Sequence, residues 1–225
     1  NELQQWWMAQ EEGGTLMRPF VSRLRCGGSG VSDGDGVAEV SDQPIGGDVP
    51  TRWAHDTPTI DDVAAYWNRQ PCAIKRSTAP VGSDSFFWET WRNRRIVETH
   101  SATFADFPRW AGKRILEVGC GIGIDSEDFA QFAETVVAVD VSEKSIDIAR
   151  QRNLRDVKFV VADGESLAMT LPPGAFLSKF DLIYSWGCLH HTPDPEAALS
   201  SMRNFADERT ELRLMVYSSR STKAA

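Results

Sequence analysis

The sequence predicts an α/β protein whose doubly wound, mostly parallel sheet carries helices on both faces. Between residues 113 and 217, five short runs rich in β-branched and other apolar residues alternate with helical patterns. Four of them end near residues 117, 140, 163 and 185, and each interval accommodates one strand and one crossover helix. Apolar runs without polar alternation are typical of strands that are covered on both faces. Sheets of this kind bind ligands at the carboxyl ends of their strands.

Start signals support the predicted helices. Ser142 is a predicted N-cap, and Asp194 precedes a proline, which is favoured in the first helical turn. Upstream, Thr59 begins a capping-box pattern, and a second helix is predicted over residues 83–99. The strands are predicted at residues 114–118, 135–139, 157–161, 180–184 and 211–217.

Charge and glycine divide the 225 residues into three parts. Residues 1–58 are predicted to form an acidic, glycine-rich leader or linker with little order, because the stretch over residues 26–36 offers little apolar surface to bury. The apolar residues between 6 and 20 could form a short helical remnant ahead of it. Residues 59–112 are predicted to be a helical lid, and residues 113–225 an α/β core. The net charge of −8, from 24 basic and 32 acidic residues, disfavours a nucleic-acid partner.

The cysteines and the hydropathy bear on location and on metal binding. The four cysteines are widely separated, which fits a reducing compartment such as the cytoplasm and provides no metal-ligand spacing. No apolar run approaches the roughly 20 residues of a membrane span. We therefore expect neither a membrane span nor a metal site.

The loop after the first predicted strand carries alternating glycines. Residues 117–125 read EVGCGIGID, and such glycines allow a tight turn and close approach of a ligand to the backbone. A dinucleotide fingerprint would need its third glycine at position 124, where this chain has Ile124. An NAD(P)-dependent oxidoreductase is therefore the less favoured interpretation.

This loop resembles the first motif of class I S-adenosylmethionine-dependent methyltransferases, an acid followed by x-G-x-G-x-G. The resemblance covers about residues 110–217 and implies a Rossmann-like fold. It also implies in-line methyl transfer from S-adenosylmethionine, with S-adenosylhomocysteine as the product. The cofactor-binding residues that it implies are Glu117, Gly119, Cys120, Gly121, Gly123, Asp140, Val141, Asp163, Gly164, Glu165, Ser185 and Trp186.

The resemblance assigns a part of the cofactor to each strand end. Asp140 would accept both ribose hydroxyls, and Val141 would pack on the adenine. Asp163 would accept from the adenine amino group, whereas Ser185 and Trp186 would border the methionine portion. The competing interpretation of an aspartate at a strand end is a helix cap or a turn former.

Residues 185–194 are similar to the small-molecule branch of the family, which includes quinone-ring methyltransferases. They lack the N/D/S-P-P-Y/F sequence typical of enzymes that methylate nucleic-acid amino groups. A small-molecule acceptor is therefore expected, with His190 as a candidate catalytic base. A structural hydrogen-bonding role for the histidine pair is the alternative. The candidate acceptor-site residues are Tyr66, Trp67, Arg95 and His191.

Two features depart from the family pattern. Residues 204–210 replace the usual glycine-containing turn, and only eight residues follow Tyr217. We therefore expect the C-terminal strands of the sheet to be truncated and the fifth strand to be an exposed edge. A catalytically inert module that binds S-adenosylmethionine or its product is an alternative function, because these motifs report cofactor binding alone. Whether carbon, nitrogen, oxygen or sulfur is methylated, and the oligomeric state, stay open.

Overall fold

Six strands form one sheet in the computed structural model, which describes residues 19–23, 58–171 and 179–217. The strands are β1 (Pro19–Arg23), β2 (Arg114–Val118), β3 (Thr135–Asp140), β4 (Val157–Val161), β5 (Leu182–Trp186) and β6 (Glu211–Met215). Their order in the sheet is β1-β6-β5-β2-β3-β4. Strands β2 to β6 are parallel, and β1 is antiparallel to β6. The predicted α/β fold is confirmed.

The four helices for which the sequence offers a start begin there, and three shorter helices were not predicted. In chain order, the α-helices of the described residues are α1 (Ile60–Arg69), α2 (Asp84–Val97), α3 (His100–Ala105), α4 (Ile124–Phe129), α5 (Glu143–Arg150), α6 (Leu167–Thr170) and α7 (Pro195–Arg203). Thr59 caps α1 through a reciprocal capping box, in which an aspartate replaces the usual glutamate. Ser142 and Asp194 cap α5 and α7 through their side chains. Short 3₁₀ turns lie at Ile74–Arg76, Phe107–Trp110, Gly164–Ser166 and Leu189–His191.

Helices cover both faces of the sheet because successive side chains of a strand point to opposite faces. Leu116 and Val137 pack in one cluster with residues of α6 and α7. Their neighbours Ile115 and Val136 pack in a second cluster with residues of α3, α4 and α5. This division explains why the strands are apolar without alternation.

Strand pairing shifts two of the predicted boundaries. β5 begins at Leu182, because Leu182 pairs with Ile115, and it extends to Trp186, which pairs with Met215. β6 ends at Met215, two residues before the predicted end. Hydrogen-bond partners decide where a strand ends, and local composition does not report them.

The exposed edge expected at the fifth predicted strand is wrong, because β1 pairs with it. The antiparallel register runs from Pro19 opposite Met215 to Arg23 opposite Glu211. The sequence placed residues 19–23 in the leader, yet their backbone supplies hydrogen-bond partners to β6. Such a long-range pairing leaves no local signature in the sequence. The predicted glycine-rich linker lies outside the described residues.

Candidate functional site

The strand order reverses between β2 and β5, and the candidate site is built at that point. From β2 the chain proceeds outward to β3 and β4, then returns to the other side of β2 to form β5 and β6. The loops that leave the carboxyl ends of β2 and β5 therefore diverge and open a crevice, which is where such sheets bind ligands. These are the loop over residues 119–123 and the segment after Trp186.

The loop after β2 needs glycine for both conformation and space. Gly119 has φ +80° and Gly123 has φ +76°, a region that disfavours other residues. A Cβ on Gly119 would lie 2.3 Å from the Cys188 sulfur, and one on Gly123 would lie 2.9 Å from the Phe159 ring. The first glycine therefore lets the loops after β2 and β5 approach each other.

Asp140, at the end of β3, ties this loop in place. Its Oδ2 accepts the Gly121 N–H at 2.8 Å, and its Oδ1 accepts the Ser142 N–H at 2.8 Å. Burial raises the pKa of Asp140, and the two hydrogen bonds oppose that shift. Each carboxylate oxygen accepts a single backbone hydrogen bond here and has a lone pair left. Val141 beside it is half-buried.

Asn68 connects α1 to the same corner. Its Oδ1 accepts from the Ser142 hydroxyl and from the Lys144 N–H, both at 3.0 Å. The helical segment is thus fixed beside the strand end that carries Asp140. Asn68 was not predicted as a site residue, because 74 residues separate it from Ser142 and no local pattern indicates the contact.

Glu117 is a buried acid beside a second buried acid. The Ser126 hydroxyl donates to its Oε2. Burial, and next the negative charge of Asp125, raise the pKa of Glu117 to about 8. The side chain is therefore mostly protonated at neutral pH and can donate a hydrogen bond.

Two acids after β4 accept hydrogen bonds from the surrounding loops. Asp163 accepts the Glu165 N–H and the Ser166 hydroxyl, each at 2.8 Å, as a cap of the following turn does. Glu165 accepts from the Thr192 hydroxyl and from the Asp194 N–H. Glu165 therefore bridges the loops after β4 and β5. Gly164 between them would place a Cβ 3.4 Å from Val118.

At the end of β5, Ser185 and Trp186 are buried. The Trp186 indole N–H donates to Glu98 Oε2 at 2.9 Å. The guanidinium carbon of Arg94 lies 5.4 Å from the Trp186 ring centroid, within cation–π range. The indole of Trp186 is thus packed against the segment that follows α2.

Three of the four predicted acceptor-site residues come together with His190, the predicted catalytic base, in a row of rings. Tyr66 contacts Trp67, Trp67 lies 5.5 Å from His191, and the two histidine rings are 3.9 Å apart. Tyr217, which was not predicted, lies 4.5 Å from His190 with the two rings tilted by 59°. This row spans from α1 to the end of β6.

The histidines of this row stay neutral near pH 7. Burial, and then the neighbouring histidine, lower the pKa of His190 to about 3, and burial lowers that of His191 to about 4. Within the described residues, neither ring nitrogen of His190 has a hydrogen-bond partner. A neutral imidazole can accept or donate a hydrogen bond to a ligand.

Arg95 lies apart from this row, in a buried ion-pair network. It pairs with Asp128 and, at 3.1 Å, with Asp125, while Arg94 pairs with Asp125 at 2.6 Å. These contacts anchor α2 to α4. The predicted acceptor contact of Arg95 would have to compete with them.

The described residues contain neither a metal-binding cluster nor a membrane-spanning helix. Among those residues, no group of three His, Cys, Asp or Glu side chains could hold a metal ion. None of the helices in the described ranges is long and apolar enough to cross a membrane.

Comparison with known proteins defines the class. Residues 115–208 match the family model of a methyltransferase domain. This match supports the predicted resemblance to class I S-adenosylmethionine-dependent methyltransferases, and it includes the glycine loop and the strand ends after β2, β3, β4 and β5.

The curated relatives are quinone-type enzymes. The chain is 36% identical over 92 residues to the ubiquinone biosynthesis O-methyltransferase of Pseudomonas entomophila. This match covers 40% of this chain and 38% of that protein. It is 33% identical over 99 residues to the enzyme of the same name from an Azoarcus species, and this match covers 43% of this chain and 40% of that protein. The chain thus spans about two fifths of the length of these relatives.

Among solved structures, the DhpI–SAH complex resembles this fold. It has a TM-score of 0.50 and 19% identity and covers 70% of this chain and 68% of that one. This likeness concerns the fold alone.

Proposed function

We propose that this protein transfers a methyl group from S-adenosylmethionine to a small-molecule acceptor. The observation that carries the proposal is the Asp140–Gly121 hydrogen bond at 2.8 Å. It joins a strand-end carboxylate to the glycine loop at the reversal of the strand order. The family match over residues 115–208 and the quinone-type relatives support it.

The residues present fit this cofactor. Glycines at 119 and 123 let the loop take its positive φ values and pass close to Cys188 and Phe159. Asp140 has two carboxylate oxygens with lone pairs to offer a ribose diol. Val141, Asp163, Gly164 and Trp186 stay the proposed neighbours of the adenine and methionine ends. When bound, S-adenosylmethionine supplies a methyl group already activated by a sulfonium.

The contribution of the protein is then to align the reactants and exclude water, and an obvious catalytic dyad is not needed. A general base works best with a pKa near the operating pH, and the pKa of His190 is about 3. We therefore propose that His190 positions the acceptor by hydrogen bonding. Trp67, His191 and Tyr217 would supply an aromatic wall for a flat acceptor.

The proposed location is a reducing compartment such as the cytoplasm. Cys72, Cys120 and Cys188 are unpaired thiols.

The binding test is calorimetric titration of the whole chain with S-adenosylhomocysteine and, separately, with NADH. We expect saturable binding of S-adenosylhomocysteine and none of NADH. A preference for NADH would overturn the proposed cofactor.

The activity test uses S-adenosylmethionine carrying a radiolabelled methyl group and a metabolite extract. We expect label in a small-molecule fraction, and Asp140→Ala serves as the control that loses both binding and transfer. Binding without transfer to any fraction would favour the inert module instead.

A further inference from the structure

Glu98 stands at the centre of a buried polar cluster, the Glu98 cluster, which consists of Glu98, Arg76, Arg94 and Trp186. The Glu98 side chain is 8% exposed. Its Oε1 accepts from Arg76 at 2.6 Å, and its Oε2 lies 3.1 Å from Arg94 and accepts from the Trp186 indole at 2.9 Å. Both oxygens are therefore paired with charged or polar donors.

The Glu98 cluster joins three separate parts of the chain. Glu98 ends α2, Arg76 lies in the 3₁₀ turn Ile74–Arg76, and Trp186 ends β5. Eighty-eight residues separate Glu98 from Trp186. The helical segment is thereby attached to one of the two strand ends that border the crevice.

Glu98 is charged in this setting. Burial raises the pKa of its carboxyl group, but Arg94 and Arg76 outweigh burial, and the pKa lies below its ordinary value. Charge-assisted hydrogen bonds of this kind are short and directional. The orientation of the Trp186 indole and of both guanidinium groups is therefore set by one carboxylate.

Donors remain available in the cluster. Within the described residues, Arg76 Nη1 and Arg94 Nε are buried and have no hydrogen-bond partner. Buried donors are normally satisfied, so these two nitrogens are candidates to bind a polar group of a ligand.

We propose that Glu98 is a positioning residue for the amino-acid end of the bound cofactor, acting through Trp186 and the two arginines. This inference rests on the proposed function, because it assumes that Trp186 borders the methionine portion. It assigns a role to the region between the lid helices and β5 that the family motifs do not cover.

Asp128 provides a matched control. It is also a buried carboxylate, it pairs with an arginine, Arg95, and it accepts from an indole, Trp91 Nε1, at 3.0 Å. It also anchors α2 to the core, but it contacts neither Trp186 nor the strand ends. A purely structural role should give Glu98 and Asp128 the same behaviour.

The experiment compares wild type, Glu98→Gln and Asp128→Asn by calorimetry with two probes. S-Adenosylhomocysteine has the amino-acid end, whereas 5′-methylthioadenosine retains the adenosine and sulfur but lacks that end. We expect Glu98→Gln to weaken S-adenosylhomocysteine binding about tenfold. Its affinity for 5′-methylthioadenosine should change less than about twofold. Asp128→Asn should lower the melting temperature and leave the affinity ratio of the two probes unchanged.

Equal affinity ratios in Glu98→Gln and wild type would overturn the positioning role. Failure of the wild type to bind S-adenosylhomocysteine would overturn the proposed function instead, so the two failures are distinguishable. Trp186→Phe removes the indole donor together with part of the ring, and it covers the case in which Glu98→Gln does not fold. The Trp186→Phe variant should bind S-adenosylhomocysteine more weakly and 5′-methylthioadenosine with unchanged affinity. An affinity ratio of the two probes equal to that of the wild type would again contradict the proposal.

Discussion

The carboxylate of Asp140 accepts the backbone N–H of Gly121 at 2.8 Å, which links the end of β3 to the loop after β2. A second bond from the Ser142 N–H fixes the other carboxylate oxygen. The glycine loop and the start of α5 are thus held by one side chain. The proposed ribose contact would use the remaining lone pairs of a group that is already immobile.

Asp140→Ala should weaken S-adenosylhomocysteine binding by about 1.5–3 kcal/mol, because charge-assisted hydrogen bonds are lost and the loop loses its tie. Calorimetric titration measures the change. Asp147→Ala, which removes an exposed carboxylate from the same region, is the control and should bind normally. An unchanged affinity in Asp140→Ala would mean that the ribose site is misassigned.

Glu117 should make stability fall as the pH rises between about 6.5 and 7.5. The pKa of Glu117 is raised to about 8 in the folded protein, so the folded state holds a proton that the unfolded state releases above its ordinary value of 4.5. The stability that Glu117 contributes is therefore complete below that ordinary value and is lost as the pH approaches 8, with a slope of at most about 1.4 kcal/mol per pH unit.

Denaturant unfolding of wild type and Glu117→Gln at pH 6.5, 7.0 and 7.5 tests this. The wild type should lose stability relative to the variant at each step. Unfolded histidines still bind protons in this range, but both proteins carry the same four histidines, so the difference between the two stability curves cancels their contribution. Parallel stability curves for the two proteins would refute the raised pKa.

Gly119→Ala should destabilise the protein more than Gly112→Ala does. Both glycines have positive φ, +80° and +67°, so both substitutions introduce backbone strain of about 1–2 kcal/mol. At Gly112 no atom lies within 4 Å of the added Cβ, whereas at Gly119 it would lie 2.3 Å from the Cys188 sulfur. Overpacking should add about 1–3 kcal/mol at Gly119. Urea unfolding measures the free energy of unfolding of both variants. An equal decrease in the two variants would show that the loops after β2 and β5 do not approach so closely.

Asp125→Ala should destabilise the fold by about 3 kcal/mol, because it breaks two buried ion pairs and leaves Arg94 and Arg95 with one carboxylate partner each, Glu98 and Asp128. Arg94 and Arg95 both pair with Asp125, whose side chain is 4% exposed. Lys113→Met removes one partner of the exposed Lys113–Asp181 pair and should change stability by less than about 1 kcal/mol. Thermal and denaturant unfolding of the two variants give the comparison. Similar small losses in both would contradict the buried network.

Local pattern was sufficient for the elements of the core. The caps Thr59, Ser83, Ser142 and Asp194 all begin helices where the sequence places them. Each cap is a hydrogen bond between residues three apart, so a short stretch of sequence is enough to predict it. The apolar runs likewise identify the parallel strands, because burial on both faces demands them.

The site was only partly accessible from the sequence. The glycine loop and Asp140 were found because short motifs carry them. Glu98, Asn68 and Tyr217 were missed, because each acts on residues far away in the chain. The (i, i+4) spacing of Arg94 and Glu98 is the single local signal of that cluster, and on a helix it is equally typical of a surface pair.

The sequence by itself determined the five parallel strands, the four helices that begin at predicted caps and the glycine loop, since these depend on propensities and hydrogen bonds within a few residues. The tertiary structure decided that β1 covers the edge of β6, that Arg95 pairs with Asp125 and Asp128, and that Glu98 reaches Trp186. Those contacts join segments 30 or more residues apart. Their free energy arises only once burial has brought the partners together and removed the competing water.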